Sequence, residues 1–87
     1  MAIIKEENSF PDLKVQIVSS FPDLCVYVTK NKYEAQGKDA VWYFDNSFPG
    51  KKVKFVTNFP DLKIQYVDSA GQVGWKSKSH RLQNRIG

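Results

Sequence analysis

A four-residue phrase, Phe-Pro-Asp-Leu, occurs three times in this chain, at residues 10–13, 21–24 and 59–62. A weaker copy, Phe-Pro-Gly, lies at 48–50, and Tyr-Glu-Ala at 33–35 fills the remaining place in the series. From each aromatic residue to the next the spacing is 11, 12, 15 and 11 residues. Regular spacing of this kind is typical of an internally repeated architecture, and the unit is close to the length of one strand and one corner.

Each copy opens a run in which apolar and polar residues alternate. In the first run Leu13, Val15 and Ile17 point to one face and the residues between them are polar. A period of two with β-branched and aromatic enrichment indicates strands that bury one face. The run at 40–44, Ala-Val-Trp-Tyr-Phe, is apolar on both faces and is the best candidate for a strand covered on both sides.

The Phe-Pro steps are predicted to be structural corners. Proline cannot donate to a sheet ladder and fixes its own φ, so it belongs at a turn or at the start of a strand. The aspartate after it can accept a hydrogen bond from the backbone N–H two residues further on. We expect the phenylalanine itself to point inward and to cover the end of the core. The residues assigned to these corners are Phe10, Pro11, Asp12, Phe21, Pro22, Asp23, Phe48, Pro49, Phe59, Pro60 and Asp61.

The sequence therefore predicts a mostly β protein, a single small domain of five short strand-plus-corner repeats. Its 87 residues suffice for one domain, and a hydrophobic content of 41% is typical of an ordered chain. The periodicity is compatible with a meander of hairpins and equally with strands that coil around a common core. The single cysteine, Cys25, excludes an internal disulfide and is interpreted as a buried thiol without a chemical role.

Charge divides the chain into a neutral body and a basic end. Residues 1–69 carry nine lysines and nine acidic residues, whereas residues 70–87 carry four basic residues and no acid. We accordingly expect a lead-in strand or loop at 1–9, a repeat domain at 10–75 and a basic carboxy-terminal segment at 76–87.

The two ends of the chain carry further signals. Leu82 and Ile86, four residues apart, predict one or two turns of helix in the basic segment. Residues 1–5 lead into two glutamates and contain no apolar core of a signal peptide, and no run approaches the length of a membrane span. A cytoplasmic location is the default expectation, with export that needs no amino-terminal signal as the alternative.

The ordered set of units resembles a known family. The similarity rests on three features: the aromatic-x-Asp-Leu-Lys-Val units, the longer middle unit with Gly-Lys-Asp-Ala-Val-Trp-Tyr-Phe at 37–44, and the closing Val-Asp-Ser and Gly-Trp-Lys-Ser-Lys-Ser at 67–79. With these features the chain is similar to the small bacterial 7(1) septoil-knot domain over residues 10–82. Family corners more often read Tyr-x-Ala or Tyr-x-Asp, where this chain has Phe-Pro-Asp. The resemblance implies a compact, β-rich domain with a deeply knotted backbone, an exception to the rarity of knots. It implies no established activity and supplies no catalytic residue; a link to bacterial toxin systems is a hypothesis.

The most concentrated chemistry lies near the carboxy terminus. In an extended segment Lys76, Lys78 and His80 share one face, with Arg81 beside them. Together with Trp75 they form a candidate site for an anionic partner, either a nucleic acid, whose phosphates they would bind and whose bases Trp75 would stack, or an anionic membrane surface. The plainer interpretation is that Trp75 covers the core and the basic residues form a solvated tail.

His80 is also the only candidate catalytic residue. With Lys76, Lys78 and Arg81 to stabilise a transition state, a lone histidine can act as general acid or base in metal-independent phosphodiester cleavage. The alternative is a histidine that is solvated or bonded to the backbone. With one histidine and no zinc, phosphate-loop or nucleotide motif, neither a metal nor a cofactor is expected.

Two aromatic residues of the strand runs are a further candidate binding or dimer surface. Tyr27 and Trp42 point away from the alternating core face if that face is the only one buried. If the run that carries Trp42 is covered on both sides, Trp42 belongs to the core instead.

Three functions follow from these observations. The first is a small non-enzymatic binding domain whose partner, nucleic acid, membrane surface or protein, contacts the segment from Trp75 to Arg81. The second is a toxin-type effector, a metal-independent nuclease that uses His80. The third is a scaffold that forms homo-oligomers through strand edges.

Overall fold

The chain folds into seven short strands. A computed structural model describes residues 2–47, 50–77 and 79–86. The strands are β1 (Ile3–Glu6), β2 (Leu13–Ile17), β3 (Leu24–Val28), β4 (Val41–Phe44), β5 (Lys51–Phe55), β6 (Leu62–Tyr66) and β7 (Gly74–Trp75). Strands β2 to β6 coincide with the five alternating runs, but the predicted number of units is wrong because β1 precedes the first corner and β7 follows the last run.

The first six strands close into a parallel barrel. Their order around it is β1-β5-β2-β6-β3-β4, and β4 pairs with β1 to complete the circle. The short β7 pairs antiparallel with the beginning of β3. The sequence periodicity was compatible with a meander of hairpins and with strands that coil around a common core. The parallel ladders show that the strands coil around a common core.

Short corners connect these parallel strands because the chain winds around the barrel almost twice. The strands of the second turn lie in the gaps left by the first, so Glu6 of β1 and Leu13 of β2 pair with Val53 of β5 from its two sides. Two strand spacings, about 10 Å, separate them, and residues 7–12 span that gap without the helix that a parallel crossover usually needs. Phe10 and its neighbours are exposed, so the corner passes over the outer side of β5.

The register arranges the inward-facing side chains in three flat layers. On each next strand around the barrel, the residue at the same height lies two positions beyond the paired one: Ile4 pairs with Lys51 and is level with Val53. Six such steps lead around the barrel and back to Ile4, so each layer is a closed ring. The middle layer, in which every residue is fully buried, is Ile4, Val53, Val15, Ile64, Val26 and Trp42. The first layer, near the strand beginnings, is Ala2, Lys51, Leu13, Leu62, Leu24 and Ala40. The third layer, near the strand ends, is Glu6, Phe55, Ile17, Tyr66, Val28 and Phe44.

The corner aspartates join the two turns of the chain. The backbone N–H of Asp12 donates to the carbonyl oxygen of Lys52 at 2.7 Å, and its carboxylate accepts from the N–H of Lys52 at 2.9 Å. Asp61 makes the same pair of bonds with Lys14, and Asp23 with Lys63. The expectation that these carboxylates accept from the N–H two residues on is wrong, because the partners lie 40 or 47 residues away in sequence.

The corner phenylalanines point outward, so the expectation that they cover the core is also wrong. Phe10, Phe21 and Phe59 are 86%, 92% and 89% exposed. Each belongs to a corner that crosses the outer side of a strand from the other turn of the chain, so its ring faces solvent. Phe21 and Phe59 moreover have φ of 53° and 55°, in the left-handed region that side chains other than glycine rarely adopt. Phe48 and Pro49 lie outside the described residues.

Trp42 belongs to the core, which settles the choice that the sequence left open for it. Its side chain is fully buried in the middle layer, and its Nε1–H donates to the carbonyl oxygen of Asp39 at 2.7 Å. Tyr27 is half-buried on the outer face of β3. Cys25 is buried and free, as expected of a thiol without a chemical role.

Candidate functional site

The carboxy-terminal segment is folded onto the barrel, and Asp39 is its main anchor. The Asp39 carboxylate accepts hydrogen bonds from Trp75 Nε1–H at 3.1 Å, from the N–H of Ile86 at 3.0 Å and from the N–H of Asn84. Because Asp39 precedes a first-layer residue, these bonds place the segment over that end of the barrel. The side chain of Ile86 is only 2% exposed there. The predicted helix is wrong, since residues 79–84 form turns, and the segment is not a solvated tail.

Two corner aspartates hold the same segment from the side. Ser77 Oγ donates to the carboxylate of Asp23 at 2.9 Å, and the N–H of Lys76 donates to the Asp23 carbonyl oxygen at 2.7 Å. Arg81 Nη2 donates to the carboxylate of Asp61 at 2.9 Å. The corners at Phe21 and Phe59 therefore fix the strands and also position the basic residues.

His80 has both ring nitrogens turned toward protein groups. Nδ1 accepts a hydrogen bond from the N–H of Leu82 at 3.1 Å, and Nε2 lies 3.6 Å from the carboxylate of Asp23. The ring stacks on that of Trp75, with centroids 5.3 Å apart and planes inclined by 29°. A general base needs a free lone pair within reach of a substrate. In this arrangement Nδ1 is engaged by the backbone and Nε2 faces a carboxylate of the protein.

Trp75 is held in the same assembly and is not free to stack on a base. It is half-buried, packs against the core, and is bonded to Asp39 while its ring contacts His80. The freely exposed aromatic rings near the basic segment are those of Phe21 and Phe59, 92% and 89% exposed. Sequence reasoning missed them, because their outward orientation depends on the path of the corners over the other turn of the chain, and no local pattern encodes that path.

Exposed cations lie on the strand positions and in the carboxy-terminal segment that bind the corners of Phe21 and Phe59. Lys14 and Lys63, whose backbone N–H groups bind Asp61 and Asp23, lie on outward-facing strand positions and are exposed. Lys76 is exposed and the Arg81 side chain is 67% exposed. Lys78, which the sequence also assigns to this site, lies outside the described residues. We call the set Phe21, Phe59, Lys14, Lys63, Lys76 and Arg81 the corner face.

The corner face contains acidic groups that are already engaged. Asp23 and Asp61 each accept from a backbone N–H and from at least one side chain. Their charges are therefore partly compensated within the protein, at Asp61 by the Arg81 guanidinium itself. The side chains of Lys14, Lys63 and Lys76 are exposed and add positive charge to this surface. Among the described residues, no group of three or more histidine, cysteine, aspartate or glutamate side chains is placed to hold a metal ion. The described chain also contains no helix long and apolar enough to cross a bilayer.

A model of the 7(1) septoil knot domain family matches residues 1–76, which is most of the chain. The protein therefore belongs to this family, and the resemblance read from its repeated units is confirmed. The winding of two interleaved turns fits the family's description. No curated protein matches the chain. The matched range ends at Lys76, so His80 and Arg81 lie beyond it.

Proposed function

We propose that this domain is a non-enzymatic binding module whose partner is a flexible polyanion, and specifically a single-stranded nucleic acid. The observation that carries the proposal is the corner face, on which two almost fully exposed phenylalanine rings lie among four exposed cations. Proteins that bind single strands combine positive charge that tracks the phosphates with aromatic rings on which bases stack. The corner face supplies both.

The two rings lie on neighbouring corners and can stack on bases of one strand. The corner of Phe59 binds Lys14 of β2 and the corner of Phe21 binds Lys63 of β6, so the corners are offset by one strand and two residues, about 8 Å at the sheet surface. The ring tips are further apart than this because the rings point outward from the barrel, so a bound strand places intervening nucleotides between the two stacked bases. The left-handed backbone of Phe21 and Phe59 and the bonds of the adjacent aspartates hold the rings outward, so little conformational entropy is lost when a base stacks on them.

The curvature of the row favours a flexible strand over a bilayer. An offset of one strand and two residues is a rotation of one sixth of a turn around the six-stranded barrel, with no rise along its axis. The rings of Phe10, Phe59 and Phe21 therefore radiate from the rim of a disc that measures 32 × 31 × 21 Å. A flat membrane reaches one or two such rings at a time, whereas a single strand can follow the rim.

Fluorescence anisotropy with labelled oligo-uridine and oligo-thymidine tests the proposal on the full chain. We expect binding that weakens with salt, with the slope of log K against log salt reduced by about 0.7 for each of Lys76 and Arg81 changed to Ala. Phe21→Ala and Phe59→Ala should each weaken binding by about fivefold or more, the contribution of one stacked base. His80→Gln should leave the labelled strand uncleaved and bound, as in the unaltered protein.

Tyr33 provides the matched control for the aromatic variants. Its side chain is 68% exposed but lies in the connection between β3 and β4, outside the corner face. Tyr33→Ala should bind the oligonucleotides as the unaltered protein does. Equal losses in all three aromatic variants, or binding to phosphatidylserine vesicles with none to either oligonucleotide, would overturn the nucleic-acid proposal.

We also propose that the backbone carries the 7(1) knot from which the family takes its description. The alternation of the corners supports it: residues 7–12 of the first turn cross β5 of the second, and residues 56–61 of the second turn cross β2 of the first. Pulling the chain by its ends should release less contour length than an open chain of 87 residues provides, since a tightened knot retains part of it. Release of the full length would contradict the knot.

A further inference from the structure

The end of the barrel opposite the carboxy-terminal segment is an exposed apolar face. It consists of the third layer, which we call the mouth. Ile17, Val28, Tyr66 and Phe44 are 52%, 41%, 39% and 37% exposed there, although the layer beneath them is completely buried. Five of the six mouth residues are aliphatic or aromatic, and the sixth is Glu6.

The surroundings of the mouth have the composition of a protein interface. Where the chain turns outward after the barrel strands it exposes mainly polar residues: Asn8, Ser9, Ser19, Ser20, Asn31, Asn46, Thr57, Asn58 and Ser69, with the charged Lys30 and Asp68 among them. An apolar centre with a polar rim is the usual anatomy of a protein–protein contact. The described part of the structure contains no cavity at this end, so an occupant has to present an apolar face of its own.

The order of residues around the mouth makes it complementary to a second copy of itself. Glu6 and Tyr66 lie at opposite positions of the ring, because β1 and β6 are three strands apart. Phe55 and Ile17 lie between them on one side, and Val28 and Phe44 on the other. Consider a two-fold axis that lies in the plane of the mouth and passes between Phe55 and Ile17 on one side and between Val28 and Phe44 on the other; we call these the side pairs. Rotation about this axis places each Glu6 opposite the partner's Tyr66. The same axis sets each aromatic side chain of the side pairs on an aliphatic one.

We propose that two copies of this chain associate mouth to mouth about such an axis, with Glu6 of each copy accepting a hydrogen bond from the phenol of the partner's Tyr66. The inference goes beyond the proposed function and uses different residues. Closed two-fold contacts of this type are the commonest homo-oligomers. The six barrel strands have neighbours on both sides, so pairing of strand edges is not open to them.

The protonation of Tyr66 agrees with its role as a donor. Burial, and then the negative charge of Glu6 across the mouth, raise the pKa of Tyr66 above its usual 10.0. The phenol therefore keeps its proton throughout the neutral range. In the dimer it would face a second carboxylate, that of the partner copy.

The small size of the contact predicts a weak dimer. Six mouth residues and their rim are fewer than the about 20–30 residues that each partner contributes to a standard interface. We therefore expect dissociation in the micromolar range or above. Sedimentation equilibrium of the full chain should show a mass that rises from one to two chains as concentration increases.

Matched variants separate the mouth from general surface apolarity. Ile17→Lys, at the most exposed apolar residue of the mouth, should remain a monomer at every concentration, whereas Tyr33→Lys should dimerise like the unaltered protein. Neither should change oligonucleotide binding, so a failure here is distinguishable from a failure of the proposed function. A protein that is monomeric at millimolar concentration, or one that dimerises equally with Lys at position 17, would overturn the proposal.

Mixing two charge variants tests the axis itself. In Tyr66→Glu two carboxylates meet across the interface, so this variant should dimerise more weakly than the unaltered chain. Glu6→Lys should also lose its carboxylate–phenol bonds. In an equimolar mixture of the two, however, the lysine introduced in one copy faces the glutamate introduced in the other, so the mixture should contain more dimer than either variant alone. A mixture that merely averages the two variants would contradict the two-fold pairing.

Discussion

Removal of the Asp39 carboxylate should release the carboxy-terminal segment from the barrel. In Asp39→Ala the hydrogen bonds to Trp75 Nε1, the N–H of Asn84 and the N–H of Ile86 are lost. Each bond to a carboxylate at a partly exposed site contributes about 1 kcal/mol net, so the expected decrease in the free energy of unfolding is about 3 kcal/mol. This is a large fraction of the about 5–15 kcal/mol that a domain possesses.

Urea denaturation of Asp39→Ala, followed by circular dichroism, measures that decrease. Asp45→Ala is the matched control, since Asp45 accepts one local bond from the N–H of Ser47 at 2.8 Å, and its loss should cost less than about 1 kcal/mol. Hydrogen exchange gives an independent reading, because the amide of Ile86 should lose its protection in Asp39→Ala. A decrease below about 1 kcal/mol with the Ile86 amide still protected would refute Asp39 as the anchor.

Three further changes test the corners and the mouth. In chemical denaturation, Phe59→Asn should have a free energy of unfolding about 1 kcal/mol higher than Phe10→Asn, because only Phe59 of the two has a positive φ and asparagine tolerates it. Equal effects of the two changes would contradict backbone strain at this corner. Asp23→Ala should lower the free energy of unfolding by about 1–2 kcal/mol more than Asp12→Ala, because Asp23 also binds Ser77 and faces His80. A decrease no larger than that of Asp12→Ala would refute the role of Asp23 in holding the carboxy-terminal segment. The raised pKa of Tyr66 means that the folded state holds the phenol proton more tightly than the unfolded chain. The stability that Tyr66 contributes should therefore be fully present below its unfolded pKa of 10.0, and the urea midpoint should lose it as the pH rises through the folded pKa. Tyr66→Phe should reduce that alkaline decrease, and an identical decrease in the variant would show that Tyr66 does not cause it.

The strands were predictable because their signal is local. Alternation in Leu13–Ile17 identifies β2, and each proline marks the place where a strand begins. The two apolar faces of the run around Trp42 correctly indicate burial on both sides of β4. These features depend only on neighbours in sequence, and the structure follows them.

The pairing of the strands was not predictable from the same signal. Asp12 and Lys52 meet because a second turn of the chain enters the gaps of the first, and no local pattern encodes a partner 40 residues away. The inward orientation expected for Phe10 failed for a related reason. The six strands fill the core with their own side chains, and the corners pass over the outside of the barrel, so the corner rings face solvent.

The candidate site was predictable only in part. Its basic residues stand out in the sequence, but Asp39, which anchors the segment, lies 36 to 47 residues from its partners and has no motif. Trp75 was a candidate for stacking a base, with coverage of the core as the plainer alternative, and in the structure it packs against the core and stacks on His80. The exposed rings of Phe21 and Phe59 take its place because the fold brings their corners beside the basic segment.

The most direct test of the corner face is a heteronuclear NMR titration of the full chain with oligo-uridine at low and near-physiological salt. The account predicts shifts at the amides of Lys14, Phe21, Phe59, Lys63, Lys76 and Arg81, larger at low salt, with the amides of the mouth unchanged. A spectrum that does not move at either salt concentration, or shifts confined to the mouth, would contradict the corner face as a nucleic-acid site.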